Sequence, residues 1–165
     1  LALICALIHR PSVLFLDEPT TGVDAVSRKE FWQMLKQLQK EGITILVSTP
    51  YMDEAALCDK IALIQNGKFL SIDTPEGTVL QFKKPLWAVK SANMYQLQQD
   101  LRQFEGMASV YPFGEYYHLA LRSDKYLRED ITGYLQQQSH QAIEVKPIQA
   151  GIEDVFMELM KPAND

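Results

Sequence analysis

Basic residues, cysteines and long apolar runs are all scarce in this sequence, and each scarcity removes a class of function. Lys and Arg total 16 against 21 Asp and Glu, a formal net charge of −5, and no basic cluster is longer than a pair such as Lys83-Lys84. A phosphate-backbone footprint is therefore missing, which argues against nucleic acid as a partner. The two cysteines, Cys5 and Cys58, show neither CxxC nor Cys/His spacing. That excludes a zinc ribbon and fits buried thiols in a reducing compartment, the cytoplasm. The longest apolar run covers residues 1–8, far short of the roughly 18 to 20 residues that span a bilayer, so membrane contact must pass through a partner. The run has no basic flank and no small-residue cleavage site, which excludes a signal peptide. The chain opens on Leu1 inside it, and the N-terminus reads as cut. What is present is 47% hydrophobic residues in a chain of 165, enough for one ordinary domain or two small ones.

Residues 1–10 are apolar all round, which predicts a helix inside a larger core, ended by Pro11-Ser12. Residues 13–16 are β-formers closing on Asp17-Glu18-Pro19, the pattern of a buried parallel strand. After a loop of Thr and Gly, residues 27–30 read as a capping box, and Phe31, Met34, Leu35 and Leu38 recur at helical spacing until Gly42. Residues 43–49 predict a second buried strand and 51–58 a short helix. The segments flanking Asn66-Gly67 predict a hairpin with a type I′ turn. Residues 74–77 open another short helix, and Lys83-Lys84-Pro85 reads as a linker, so residues 1–84 form an α/β unit.

Beyond Pro85 the pattern restarts on another plan. A strand over 86–90 leads to a helix capped by Asn93, with Met94, Leu97, Leu101 and Phe104 on one face. Two aromatic-rich strands around Gly114 follow, then a helix from Ser123, a strand over 142–147, and a closing helix bearing Ile152, Val155, Phe156 and Leu159. The order β-α-β-β-α-β predicts a small α+β, ferredoxin-like domain over 85–165.

An apolar strand closing on Asp17 and Glu18 places two carboxylates at the C-terminal edge of a parallel sheet, where α/β folds bind ligands. Phosphoryl transfer to water needs one carboxylate to hold Mg²⁺ and another group to orient or deprotonate the attacking water. Asp17 and Glu18 have the chemistry for both jobs. The same residues also describe a strand meeting an ordinary turn.

The surrounding residues add to this. LDEP at 16–19, TTGVD at 20–24 and STPYMDEA at 48–55 resemble, in that order, the Walker B, D-loop and switch-loop segments of the ABC ATPase family. YMDEA is similar to the multidrug and antibiotic exporters of that family. Residues 1–10 resemble the helix that follows the family's signature sequence, and IEDVFMELM at 152–160 resembles the end of an accessory domain carried by many such exporters. The resemblance implies the C-terminal half of a P-loop ABC ATPase domain with parallel strands over 1–84, followed by the ferredoxin-like accessory domain. It implies ATP and Mg²⁺ as cofactors, with Asp17 holding Mg²⁺ through water and Glu18 as the general base. Asp24 would lie at a dimer interface; a carboxylate before a helix is also favoured by the helix dipole. The partners implied are a separate transmembrane permease and a second ATPase unit, as a homodimer or a tandem pair.

Two features depart from the family pattern. No G-x-x-x-x-G-K-[ST] occurs in these residues, and the one Gly-Lys pair, Gly67-Lys68, lies in the hairpin. The signature and glutamine loops are missing as well, so these residues alone hold neither face of a complete composite site and are expected to be inactive by themselves. Pro50 stands where the family's switch histidine contacts the γ-phosphate. Proline has no side-chain donor and no N–H, so that contact is lost unless Ser48, Thr49 or Tyr51 supplies it. His9 falls at a helix end, and His118 and His140 have no carboxylate or Cys partner at ligand spacing. Tyr111, Phe113, Tyr116 and Tyr117 read as core and cross-strand packing in preference to a base-stacking platform.

The resemblance implies the nucleotide-binding subunit of an ABC exporter at the cytoplasmic face of the membrane. Two rivals stand beside it. A degenerate or regulatory ABC module without turnover is favoured by Pro50 and by the absent phosphate loop. A soluble ABC ATPase of DNA repair or translation is disfavoured by YMDEA, by the acidity and by the second domain.

Overall fold

The computed structural model describes residues 7, 9 and 11–160; the helix expected over 1–10 and the position of Cys5 lie outside them, apart from Leu7 and His9. The chain is mixed α/β and divides into two compact units, 1–57 and 58–165.

In the first unit, β1 (Val13–Asp17) and β2 (Thr44–Ser48) pair in parallel, with Val13 opposite Thr44 and Asp17 opposite Ser48. Parallel neighbours cannot be joined by a tight turn, and helix α1 (Ala25–Lys40) is the crossover. It buries Trp32 and Leu35, while Leu14 is buried on β1. The capping box expected at 27–30 is displaced towards the N-terminus. Asp24 is the N-cap and accepts from the amides of Val26 and Ser27, each at 3.0 Å. One carboxylate there satisfies two orphan amides and meets the positive end of the helix. Alternation along the strands leaves Phe15 72% and Leu46 61% exposed. Apolar runs that predict burial on both faces thus have one covered face among the described residues. Helix α2 (Met52–Ala55) is shorter than the expected 51–58.

In the second unit, β3 (Ile61–Gln65) and β4 (Lys68–Asp73) form the expected hairpin. Asn66 and Gly67 have φ of 49° and 72°, the two positive angles that a type I′ turn requires. Helix α3 (Pro75–Val79) starts at Thr74, whose hydroxyl accepts from Gly77 N at 3.0 Å. Lys84 pairs with Glu158, so residues 83–85 are tied into this unit.

Strands β5 (Leu86–Lys90), β6 (Met107–Phe113), β7 (Tyr116–Leu121) and β8 (Glu144–Pro147) form one antiparallel sheet in the order β6-β7-β5-β8. The crossovers are α4 (Met94–Gln103), between β5 and β6, and α5 (Arg128–Gln137), between β7 and β8. Their inward residues Leu97, Leu101, Ile131 and Leu135 pack with Val89, Tyr117, Leu119, Leu121 and Val145 from one face of the sheet. Each fully buried leucine there contributes about 1.5–3 kcal/mol. The helix expected from Ser123 begins at Arg128 instead. Ser123 Oγ accepts from Lys125 N at 3.3 Å in a local turn, and Asp130 Oδ2 accepts from Leu127 N at 2.8 Å to start the helix. Helix α6 (Ile152–Leu159) meets the opposite face, where Asp154 reaches His118, whose side chain points away from its buried neighbours Tyr117 and Leu119. α6 also packs on α3.

Candidate active site at the ends of the parallel strands

Both carboxylates singled out by the sequence sit where β1 stops. Asp17 is the last residue of that strand, level with Ser48 of β2, and Ser48 Oγ donates to Asp17 Oδ1. The same hydroxyl accepts from Glu18 N at 3.1 Å, and Glu18 N also reaches Ser48 O at 3.0 Å. One serine therefore orients the Asp17 carboxylate and ties down the Glu18 backbone. Glu18 has φ of 43°, in the left-handed region, where a residue with a Cβ sits at a cost of order 1–3 kcal/mol. Contacts from the following loop hold it: Thr21 N donates to Glu18 O at 3.2 Å and Thr21 Oγ1 to Glu18 Oε2 at 3.1 Å. Both carboxylates are exposed.

Asp24 is engaged at the N-terminus of α1. The amide of Ser27, and then its hydroxyl, hold the Asp24 carboxyl below the usual range. Pro50 is exposed in the turn after β2. Thr49 Oγ1 accepts from Tyr51 N at 3.1 Å across it, so the amide that closes this turn comes from the residue after the proline. Of the groups offered as substitutes for a histidine donor, the Ser48 hydroxyl donates to Asp17 and the Thr49 hydroxyl to Glu54 Oε2 at 2.6 Å. The Tyr51 ring lies 4.6 Å beneath the Arg28 guanidinium.

Glu54 and Arg28 were not singled out by sequence. Glu54 is 1% exposed, and Arg28 Nε is 3.6 Å from its Oε1. Four residues of α2 are too few for a periodicity to show which side chain turns inward. The usable signal is a threonine in each strand-end loop, Thr20 and Thr49, since both hydroxyls donate to Glu54.

The histidines of the second unit, which have no carboxylate at ligand spacing in the sequence, each meet one in the fold. His118 Nδ1 is 2.8 Å from Asp154 Oδ1, and His140 Nε2 is 2.9 Å from Asp100 Oδ2, 36 and 40 residues away in sequence. Spacing arguments do not reach so far. His140 Nδ1 also meets Ser91 Oγ at 3.1 Å; Ser91 and His140 are buried, which makes this a tie between elements. An open groove lined by Phe104, Lys125, Tyr126, Asp130 and Tyr134 lies in the second unit and contains none of the strand-end residues.

No family model matches the chain. It is 49% identical over 76 residues, 46% of this chain and 13% of the other, to the "Probable multidrug ABC transporter ATP-binding protein YbhF" of Escherichia coli (strain K12). It is 40% identical over 87 residues, 52% of this chain and 25% of the other, to the daunorubicin/doxorubicin resistance ATP-binding protein DrrA of Streptomyces peucetius. With the linearmycin resistance ATP-binding protein LnrL of Bacillus subtilis (strain 168) the identity is 41% over 70 residues, 42% and 22% of the two chains. The matched part is homologous to ABC transporter ATP-binding proteins. The names of these relatives describe multidrug, daunorubicin/doxorubicin and linearmycin resistance ATP-binding proteins. The chain spans between 13% and 25% of the length of these ABC relatives. No helix among the described residues is long and apolar enough to cross a membrane.

Proposed function

We propose that these residues form the hydrolytic side of the nucleotide site in an ABC exporter ATPase that works on a separate membrane permease. The carrying observation is the strand-end cluster, in which a single serine hydroxyl bridges Asp17 and the backbone of a strained Glu18. Residues 1–84 are then the C-terminal half of a P-loop ATPase domain with parallel strands. Residues 85–165 are a ferredoxin-like accessory domain, a reading supported by the strand order β6-β7-β5-β8 with both crossover helices on one face.

The residues present fit Mg²⁺. Asp17 offers a hard, exposed carboxylate that the Ser48 hydroxyl orients, and it would hold the ion through water. The bound ion would neutralise charge developing on phosphate oxygens. Glu18 lies beside Asp17 in an exposed position, where it accepts from Thr21, and it would orient and deprotonate an attacking water. The phosphate loop is not among these residues, so the grip on ATP belongs to another segment or chain. Asp24, at the start of α1 and exposed, would face a second ATPase unit, as a homodimer or tandem partner. The assembly would act at the cytoplasmic face of the membrane.

Pro50 favours one other reading, an ABC module that keeps the fold without turnover, because the turn presents no donor at residue 50. Steady-state phosphate release decides between them, measured on the full reading frame that encodes these residues, assembled with its permease. The variants are wild type, Glu18→Gln, Pro50→His and the double substitution. Hydrolysis by Glu18 predicts that Glu18→Gln lowers turnover by at least about 10²-fold in both backgrounds, with ATP binding retained. Pro50→His is expected to raise turnover, because one well-placed donor is worth about 10²- to 10³-fold. Unchanged turnover in Glu18→Gln overturns the role given to Glu18. Turnover that appears only with Pro50→His establishes the inactive module. Titration calorimetry on the 165 residues alone is expected to detect no Mg-ATP binding.

A further inference from the structure

The loop after β1 and the turn after β2 are joined by a carboxylate that the hydrolytic reading leaves without a task. Glu54 is 1% exposed and Thr20 equally buried. The two oxygens of Glu54 are divided between the loops: Oε1 accepts from Thr20 Oγ1 and Oε2 from Thr49 Oγ1, each at 2.6 Å. From α1, Arg28 brings a positive charge, with Nε 3.6 Å from Glu54 Oε1 and Nη1 3.6 Å from Asp53 Oδ2. Thr49 Oγ1 also accepts from Tyr51 N and so braces the turn that holds Pro50. A carboxylate removed from water is tolerated only where hydrogen bonds and a counter-charge replace its hydration. Here those replacements come from the loop leaving Glu18, from the turn carrying Pro50, and from the helix that Asp24 caps.

We infer that Glu54 is a positioning residue that locks the loop following Glu18 to the turn carrying residue 50, so that the two shift together. The inference rests on the reading of Asp17 and Glu18 as the hydrolytic pair, since only then does the relative placement of the two loops govern a reaction. It explains why both loops carry a threonine at the inward position. A hydroxyl there donates to the carboxylate, whereas the equally shaped valine leaves an acceptor unpaired.

Amide hydrogen exchange on the product of the full reading frame tests the lock without any assay of turnover. Wild type, Thr20→Val, Thr20→Ser and Glu54→Gln are compared over segments 18–24 and 49–52. Thr20→Val is expected to speed exchange by about tenfold or more in both segments, the scale of one lost hydrogen bond to a charged group. Thr20→Ser is expected to restore protection in both. Faster exchange confined to 18–24 overturns the inference. If Thr20→Val loses protection throughout β1 and α1, the comparison moves to Glu54→Gln. That variant keeps the shape but not the charge facing Arg28, and it must loosen both segments together for the inference to stand. In the full reading frame, Thr20→Val is further expected to lower kcat by about 10- to 100-fold at unchanged KM for ATP, as for a catalytic group displaced slightly from its productive position. Rescue by Thr20→Ser distinguishes this from general damage. Should Glu18→Gln leave turnover intact while the two segments still loosen together, the hydrolytic reading fails and the lock survives.

Discussion

Ser48→Ala removes one hydroxyl that serves both halves of the proposed site. The Ser48 carbonyl still accepts from Glu18 N at 3.0 Å, so the backbone of Glu18 keeps an anchor and the loss falls mainly on Asp17, which forfeits its donor. A hydrogen bond to a charged group is worth about 1.5–3 kcal/mol. Asp17 and Ser48 are both exposed, and water replaces much of what the hydroxyl gave. The lower figure therefore applies, and about 1.5 kcal/mol corresponds to roughly a tenfold change. If Asp17 holds Mg²⁺ through water, the change falls on metal use. At saturating ATP, Ser48→Ala should need about ten times more Mg²⁺ for half-maximal phosphate release, while Ser48→Thr, which keeps a hydroxyl, stays near wild type. The assay is a Mg²⁺ titration of phosphate release in the full reading frame, with circular dichroism to confirm the fold. A folded Ser48→Ala protein with an unaltered Mg²⁺ requirement would refute the assignment of Asp17 as the metal-side carboxylate oriented by Ser48.

Three further outcomes are expected. The Asp24 carboxyl lies below its ordinary 3.8 in the folded chain, so its contribution is present above that value and lost as pH falls through the folded one; Asp24→Ala should lower the melting temperature at pH 7, and Asp24→Asn should retain the cap while flattening the acid limb of the melting profile below pH 3.8. Leu119→Ala, at a position with no exposed area on the central strand β7, should destabilise the second unit by about 2.7–5 kcal/mol in a urea melt. His140→Ala and Asp100→Asn should be non-additive by about 0.5–3 kcal/mol in the same melt, because the pair joins α4 to the segment after α5.

Features encoded within a few residues were legible before the structure. The run ending in Asp17-Glu18 gives β1, Asn66-Gly67 gives the hairpin turn with its two positive φ angles, and Asn93 caps α4 by accepting from Gln96 N at 3.1 Å. Local rules failed where two local answers compete. Asp24 and Ser27 are both good caps three residues apart, and the carboxylate prevails because it takes two amides at once. Ser123 has the right chemistry to start a helix, but its hydroxyl closes a turn on Lys125 N instead.

The candidate site divides along the same line. Asp17, Glu18 and Asp24 lie between the end of β1 and the start of α1, and their roles were read from the resemblance of LDEP and TTGVD to the Walker B and D-loop segments. Ser48, which orients Asp17, comes from 31 residues away, and Glu54, which holds Thr20 in the loop after Glu18, is 34 residues from that threonine; no spacing rule reaches that far. The structure adds a reason for the distance. A left-handed Glu18 at the end of a strand is a strained choice, and it is held from two sides, by Thr21 of its own loop and by an element from elsewhere in the sequence. The parallel partner β2 is that second element. It sets Ser48 level with Asp17, and its hydroxyl and carbonyl take the Glu18 amide. The residues that carry the proposed chemistry are therefore readable as a motif, whereas the geometry that makes them usable exists only once the two strands have paired.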